Sequence, residues 1–208
     1  MQAAASRPIE LPRNPLSFKR IDAMSYIPYE YEMQEVALRL KRHGYRGAIC
    51  GPKGSGKSIM LQALGDELLS HGLSPLPLRV DERSAKALPT DWRRTIRKAR
   101  PADALLLDGY DRLPMRARAW VLFASRRAGA VVVTSHHGVR FKTLARPKPT
   151  AMLLQQLSEQ MHYAGHSAID YEAALRQSGG DLRKALQFVS QLTEADTQAR
   201  NAGQRCAS

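Results

Sequence analysis

The sequence predicts an α/β protein: a parallel sheet sandwiched by helices, followed by a small C-terminal helical lid. Three observations carry that prediction. From residue 28 to about residue 149, short apolar runs alternate with amphipathic segments, the pattern of strand–helix–strand units. A glycine-rich segment, residues 51–56, separates one such run from the helix after it. Beyond residue 149 the pattern turns to helices alone. The expected organisation is a loose N-terminus (1–14), a core (15–149), a helical lid (150–193) and a loose tail (194–208).

Taken in order, residues 28–43 set Met33, Val36, Leu38 and Leu40 among charges at helical spacing, with Gly44 where that helix stops. Residues 47–50 form a short apolar strand. The next helix runs from Lys57 to about His71, with Met60, Leu61, Leu64, Leu68 and Leu69 along one side and Gly72 past its end. A second strand lies in residues 75–80. Residues 90–99 read as an amphipathic helix, with Thr90 or Asp91 expected to cap it and Trp92 and Ile96 one turn apart. "ALLLD", residues 104–108, is apolar without alternation, as a strand covered on both faces must be. A helix over 114–127 and a strand over 130–135 ("AVVVTS"), rich in β-branched residues, complete the core. The lid follows as helices over 150–161, 170–177 and 181–192, the last capped by Asp181 after Gly179 and Gly180.

Composition narrows the classes. A chain 43% hydrophobic and 25% charged is ordinary for a globular fold. No apolar run approaches the ~20 residues that span a bilayer, and the N-terminus has no signal-peptide pattern, so the expectation is a cytoplasmic protein without a membrane partner. Two cysteines, Cys50 and Cys206, make no disulfide framework. The net charge of +13 is uneven: residues 79–148 hold 17 Lys/Arg against 6 Asp/Glu. Such a block attracts nucleic acid or another polyanion without designating a specific one. Arg93, Arg97 and Arg100 recur at helical spacing, and Arg112, Arg116 and Arg118 form a second cluster, but no density of aromatics is interleaved with them. His162 and His166 lack a third ligand, so no metal beyond magnesium is expected.

The most specific signal is Gly51-Pro52-Lys53-Gly54-Ser55-Gly56-Lys57-Ser58, which satisfies G-x-x-x-x-G-K-[ST] and leads through Ile59 into a helix. Glycines let the backbone turn its amides inward around phosphate oxygens. Lys57 reaches the β- and γ-phosphates, and Ser58 offers Mg²⁺ a hydroxyl ligand. The helix adds its positive N-terminal end. A chance match in a chain of this length is below about one per cent. Asp108, closing its apolar strand, is the expected second magnesium ligand.

"GPKGSGKS" with "LLLDGYD", "VVVTSHH" and "SGGDLRKAL", in that order, resembles the AAA+ branch of P-loop NTPases over roughly residues 28–193. The resemblance implies ATP with Mg²⁺ and an ATPase acting as a conformational switch or assembly factor, on nucleic acid or with a protein partner. It implies a polar sensor at Thr134, a lid arginine at Arg183, and an arginine offered to a neighbouring subunit at Arg140 or, failing that, Arg146. Homo-oligomers belong to the same implication. Adenine follows from the resemblance too, with Tyr26–Pro28 standing where a base pocket would form. One departure stands out: Gly109 occupies the place where the family sets a glutamate to activate water, leaving Asp111 as the substitute base. Slow, partner-activated or absent hydrolysis is the consequence. Two alternatives stay open, a nucleotide-binding module without turnover and a small-molecule P-loop kinase. His136 and His137 follow the fourth strand near the expected phosphate side; they read first as loop histidines without a site role, and only second as a contact to phosphate or water.

Overall fold

A computed structural model describes residues 31–80, 88–160 and 169–205. The N-terminal segment 1–14, Tyr26–Pro28, His162, His166 and Cys206 lie outside them. The chain forms α1 (Met33–Arg42), β1 (Arg46–Cys50), α2 (Lys57–Ser70), β2 (Ser74–Arg79), α3 (Thr90–Lys98) and β3 (Asp103–Asp108). It continues with α4 (Met115–Ala124), β4 (Ala130–Ser135), β5 (Thr143–Ala145), α5 (Ala151–Gln160), α6 (Tyr171–Gln177) and α7 (Leu182–Arg205).

Five strands make one sheet in the order β2-β3-β4-β1-β5, with every pairing parallel. Successive residues of a strand face opposite sides, and both sides are covered. Leu105, Leu107, Val131 and Val133 pack with Trp92, Ile96 and Val121 of α3 and α4. Ala104, Leu106, Ala130 and Val132 pack with Val36, Leu40, Met60 and Leu64 of α1 and α2. This two-sided burial is the physical reason the strands read as unbroken apolar runs. The lid has its own cluster, built on Leu154, Leu157, Ala174, Leu186 and Val189.

Helix ends follow the glycines. Gly44 (φ 65°) and Gly72 (φ 81°) turn left-handed after α1 and α2, while Tyr45 N–H returns to the Leu40 carbonyl and Leu73 N–H to that of Leu68.

Several expectations are corrected. Neither Thr90 nor Asp91 caps α3: Pro89 is the N-cap and carries no side-chain bond, so both polar residues sit in the first turn. The helix expected to reach 127 ends at Ala124 and tightens into a 3₁₀ turn at Ser125–Arg127. The short β5 has no counterpart in the sequence pattern; three residues carry too little periodicity to mark a strand. The tail expected to be loose from 194 is helical in its backbone to Arg205, as a stretch without proline and with three Ala, two Gln and two Arg allows.

Candidate functional site

Because the strands are parallel, the ends of β1, β3 and β4 open at the same edge. Ile49 is level with Thr134, Cys50 with Ser135, and Leu107 with Val133. The glycine loop leaves β1 at that edge and turns into α2, whose first-turn N–H groups lack partners within the helix.

Lys57 is only 7% exposed, and its Nζ donates to the carbonyls of Gly51 at 2.8 Å and Pro52 at 2.5 Å. Burial pushes its ammonium below the usual lysine range, opposed by the charges of Asp108 and Asp111. Ser58 and Asp108, fifty positions apart, meet: the Ser58 hydroxyl donates to Asp108 Oδ2 at 2.9 Å. The Thr134 hydroxyl donates to Asp108 Oδ1 at 2.6 Å and accepts the Gly109 N–H at 2.8 Å. One carboxylate is therefore fixed by two hydroxyls on different elements.

Gly109 has φ 81°, a left-handed turn that side chains with a Cβ adopt at a cost, and a Cβ there would lie 3.3 Å from the Val80 carbonyl oxygen. The turn leads into a 3₁₀ segment, Tyr110–Arg112, clamped by Arg118, whose guanidinium donates to the carbonyls of Leu113 and Asp111. The glycine at this position is thus tied to backbone shape.

Asp111 does not stand alone as a candidate base. Its Oδ2 accepts the His136 N–H at 3.0 Å and the His136 ring Nδ1 at 2.7 Å, while Oδ1 is buried without a partner. Burial alone would raise this carboxyl; the two hydrogen bonds and the charge of His136 outweigh it and hold Asp111 below the usual carboxylate range. With Nδ1 turned to Asp111, Nε2 is the ring nitrogen left to face the crevice and accept a proton when the ring is uncharged. His136 lines the crevice beside Thr134.

The lid closes on the loop. Leu182 N–H donates to the Gly54 carbonyl at 3.3 Å, and a Cβ on Gly54 would sit 2.2 Å from Asp181 Oδ1, a place only glycine can leave free. Asp181 also caps α7 by accepting the Arg183 N–H at 3.0 Å. The crevice measures about 140 Å³, against roughly 300–1,000 Å³ for a small-molecule pocket. Lys53, Lys57, Arg79, Arg112 and Arg183 line it against the carboxylates of Asp108 and Asp181, a net positive wall.

The structure brings together Lys53, Gly54, Ser55, Gly56, Lys57, Ser58, Ile59, Asp108, Thr134 and Arg183 around this crevice, and places Pro52 at the lysine contact. Arg140 and Arg146 are exposed; Arg146 lines a second cleft with Gly51, Pro52 and Lys53 on the outer side of the loop. Arg79 was not legible as a site residue. Its Nε lies 3.7 Å from Asp108 Oδ2 because β2 and β3 pair Arg79 with Asp108, a relation no motif encodes. The chain matches no protein-family model and no curated protein sequence. Among the described residues, no helix is long and apolar enough to cross a membrane.

Proposed function

We propose that this protein is an AAA+-like P-loop ATPase, binding ATP with Mg²⁺ in the crevice between glycine loop and lid and coupling slow hydrolysis to lid movement. The observation that carries the reading is the contact between Ser58 and Asp108 beside a buried lysine. Those are the two oxygen ligands a nucleotide-bound magnesium requires at a P-loop.

The residues present fit such a ligand. Ser55 Oγ is buried without a partner, Lys57 is held by loop carbonyls that a phosphate can replace, and the cationic wall suits a polyanion. When bound, the magnesium nucleotide supplies an electrophilic phosphoryl group and a Lewis acid. Lys57 would turn from the Gly51 and Pro52 carbonyls to phosphate oxygens, and Asp108, oriented by Thr134, would hold the metal together with Ser58. Arg183 brings the lid's charge to the same crevice. His136, oriented by Asp111, accepts a proton from water at Nε2 in place of the family's glutamate; Asp111 is a positioning residue. General-base assistance of this kind contributes roughly 10²–10⁴-fold.

Gly109 favours a second reading, a nucleotide-binding module without turnover. Calorimetric titration and phosphate release separate the two. Under the first reading, Lys57→Ala abolishes both MgATP binding and turnover, whereas His136→Ala keeps binding and loses turnover. Binding by the parent without phosphate release above the Lys57→Ala background establishes the second. MgATP affinity unchanged in Lys57→Ala overturns both.

A further inference from the structure

A second charged feature lies at the opposite edge of the sheet, where the strands begin. Arg97, Lys98 and Arg100, at the end of α3, line one depression with Arg126 and Arg127 of the 3₁₀ turn before β4. In sequence the two groups are some 25 residues apart. They merge because the turn at Arg100–Pro101 rests on Gly129: a Cβ there would lie 2.0 Å from the Pro101 carbonyl oxygen, and Gly129 N–H donates to the Arg100 carbonyl at 3.2 Å. Below them Arg46, half-buried, donates to the carbonyls of Gly129 at 3.2 Å and Ala128 at 2.8 Å. Burial lowers the Arg46 pKa from its ordinary value.

All five surface cations are exposed, and none forms an ion pair with a described carboxylate. The nearest acid along the chain, Asp103, accepts the Arg100 backbone N–H at 2.7 Å at the surface and forms no ion pair with the five. An uncompensated cluster of this kind is costly through self-repulsion unless a polyanion offsets it. Aromatic rings border it. The Arg97 guanidinium lies 5.6 Å over the Trp120 ring and that of Arg126 lies 4.9 Å over Phe123, which is 66% exposed. Packing α3 beside α4 sets Arg97 over Trp120, while Arg126 reaches Phe123 from the next turn of its own segment.

We infer that this face binds single-stranded nucleic acid: phosphodiesters lie along Arg97, Lys98, Arg100, Arg126 and Arg127, and an unpaired base stacks on Phe123. A duplex meets the charges and leaves the ring unused. An acidic polypeptide meets the charges without a base to stack. The surface is remote from the crevice, so the inference does not rest on nucleotide binding.

Fluorescence anisotropy with an oligothymidylate of about 20 nucleotides tests it, beside the ribose analogue, a duplex of equal length and polyglutamate. Five phosphate contacts give an affinity falling with salt at a log–log slope of about −3.5. Arg97→Glu with Arg127→Glu is expected to weaken the oligonucleotide at least about tenfold, and Phe123→Ala at least about fivefold, with MgATP affinity unchanged in both. The milder Arg127→Gln, on an exposed side chain, should weaken binding and lower the slope by about 0.7. Tighter binding of the deoxy or of the ribose strand assigns DNA or RNA, and either supports the inference. Polyglutamate or duplex binding as tightly as the single strand overturns it, as does oligonucleotide affinity unaffected by these substitutions.

Discussion

At the scale of residues, Gly109 decides more than its size implies. It takes φ 81°, and the chain then curls so that Asp111 reaches His136. Placing a glutamate here by Gly109→Glu is expected to destabilise the fold by about 1–2 kcal/mol in denaturant unfolding, from the left-handed backbone, without raising phosphate release. A gain in turnover would show that backbone shape is not the obstacle. Asp111 gives a pH prediction. Its carboxyl is held below the ordinary range, so the stability it contributes is fully present above its unfolded pKa near 3.9 and lost as pH falls through the lower folded value. Melting parent and Asp111→Asn from about pH 7 down to about pH 2 should show a gap that is constant in the upper range and closes below about pH 4. A gap that widens on acidification contradicts that sign. Neither relation is visible in "DGYD" and "TSHH" read separately, since the pair lies 25 positions apart.

At the scale of elements, α7 is tied to the glycine loop at its first turn. Its first residues cap the helix through Asp181 and bind the Gly54 carbonyl through Leu182. The crevice of about 140 Å³ is smaller than an ordinary small-molecule pocket, and Leu182, Arg183 and Leu186 of α7 form one of its walls. Asp181→Ala is expected to cost about 0.5–2 kcal/mol of helix stability and to speed hydrogen exchange at the start of α7, leaving β3 and β4 amides protected. Equal exchange in parent and variant would sink that role for Asp181. The glycines and the aspartate of "SGGDLRKAL" announced the helix start; its docking on the loop depended on a contact across about 130 residues.

At the scale of the whole molecule, stability resides in two packed faces of one sheet and a separate lid cluster. Leu107, fully buried, is expected to cost about 2–5 kcal/mol as Leu107→Ala, whereas Leu38→Ala, at a residue 55% exposed, stays within about 0.5 kcal/mol in the same denaturation experiment. The sequence alone determined the period of every element but β5, the helix-ending glycines, the G-x-x-x-x-G-K-[ST] loop and the aspartate closing its apolar strand. These are local: hydrophobic spacing and backbone freedom act within a few residues. Only the tertiary structure decided that β4 lies between β1 and β3, that Asp108 is shared by Ser58 and Thr134, that His136 holds Asp111, and that two basic runs form one surface beside Phe123. Those relations depend on which strands neighbour one another and in what register, and that is settled by burying both sheet faces at once rather than by spacing along the chain.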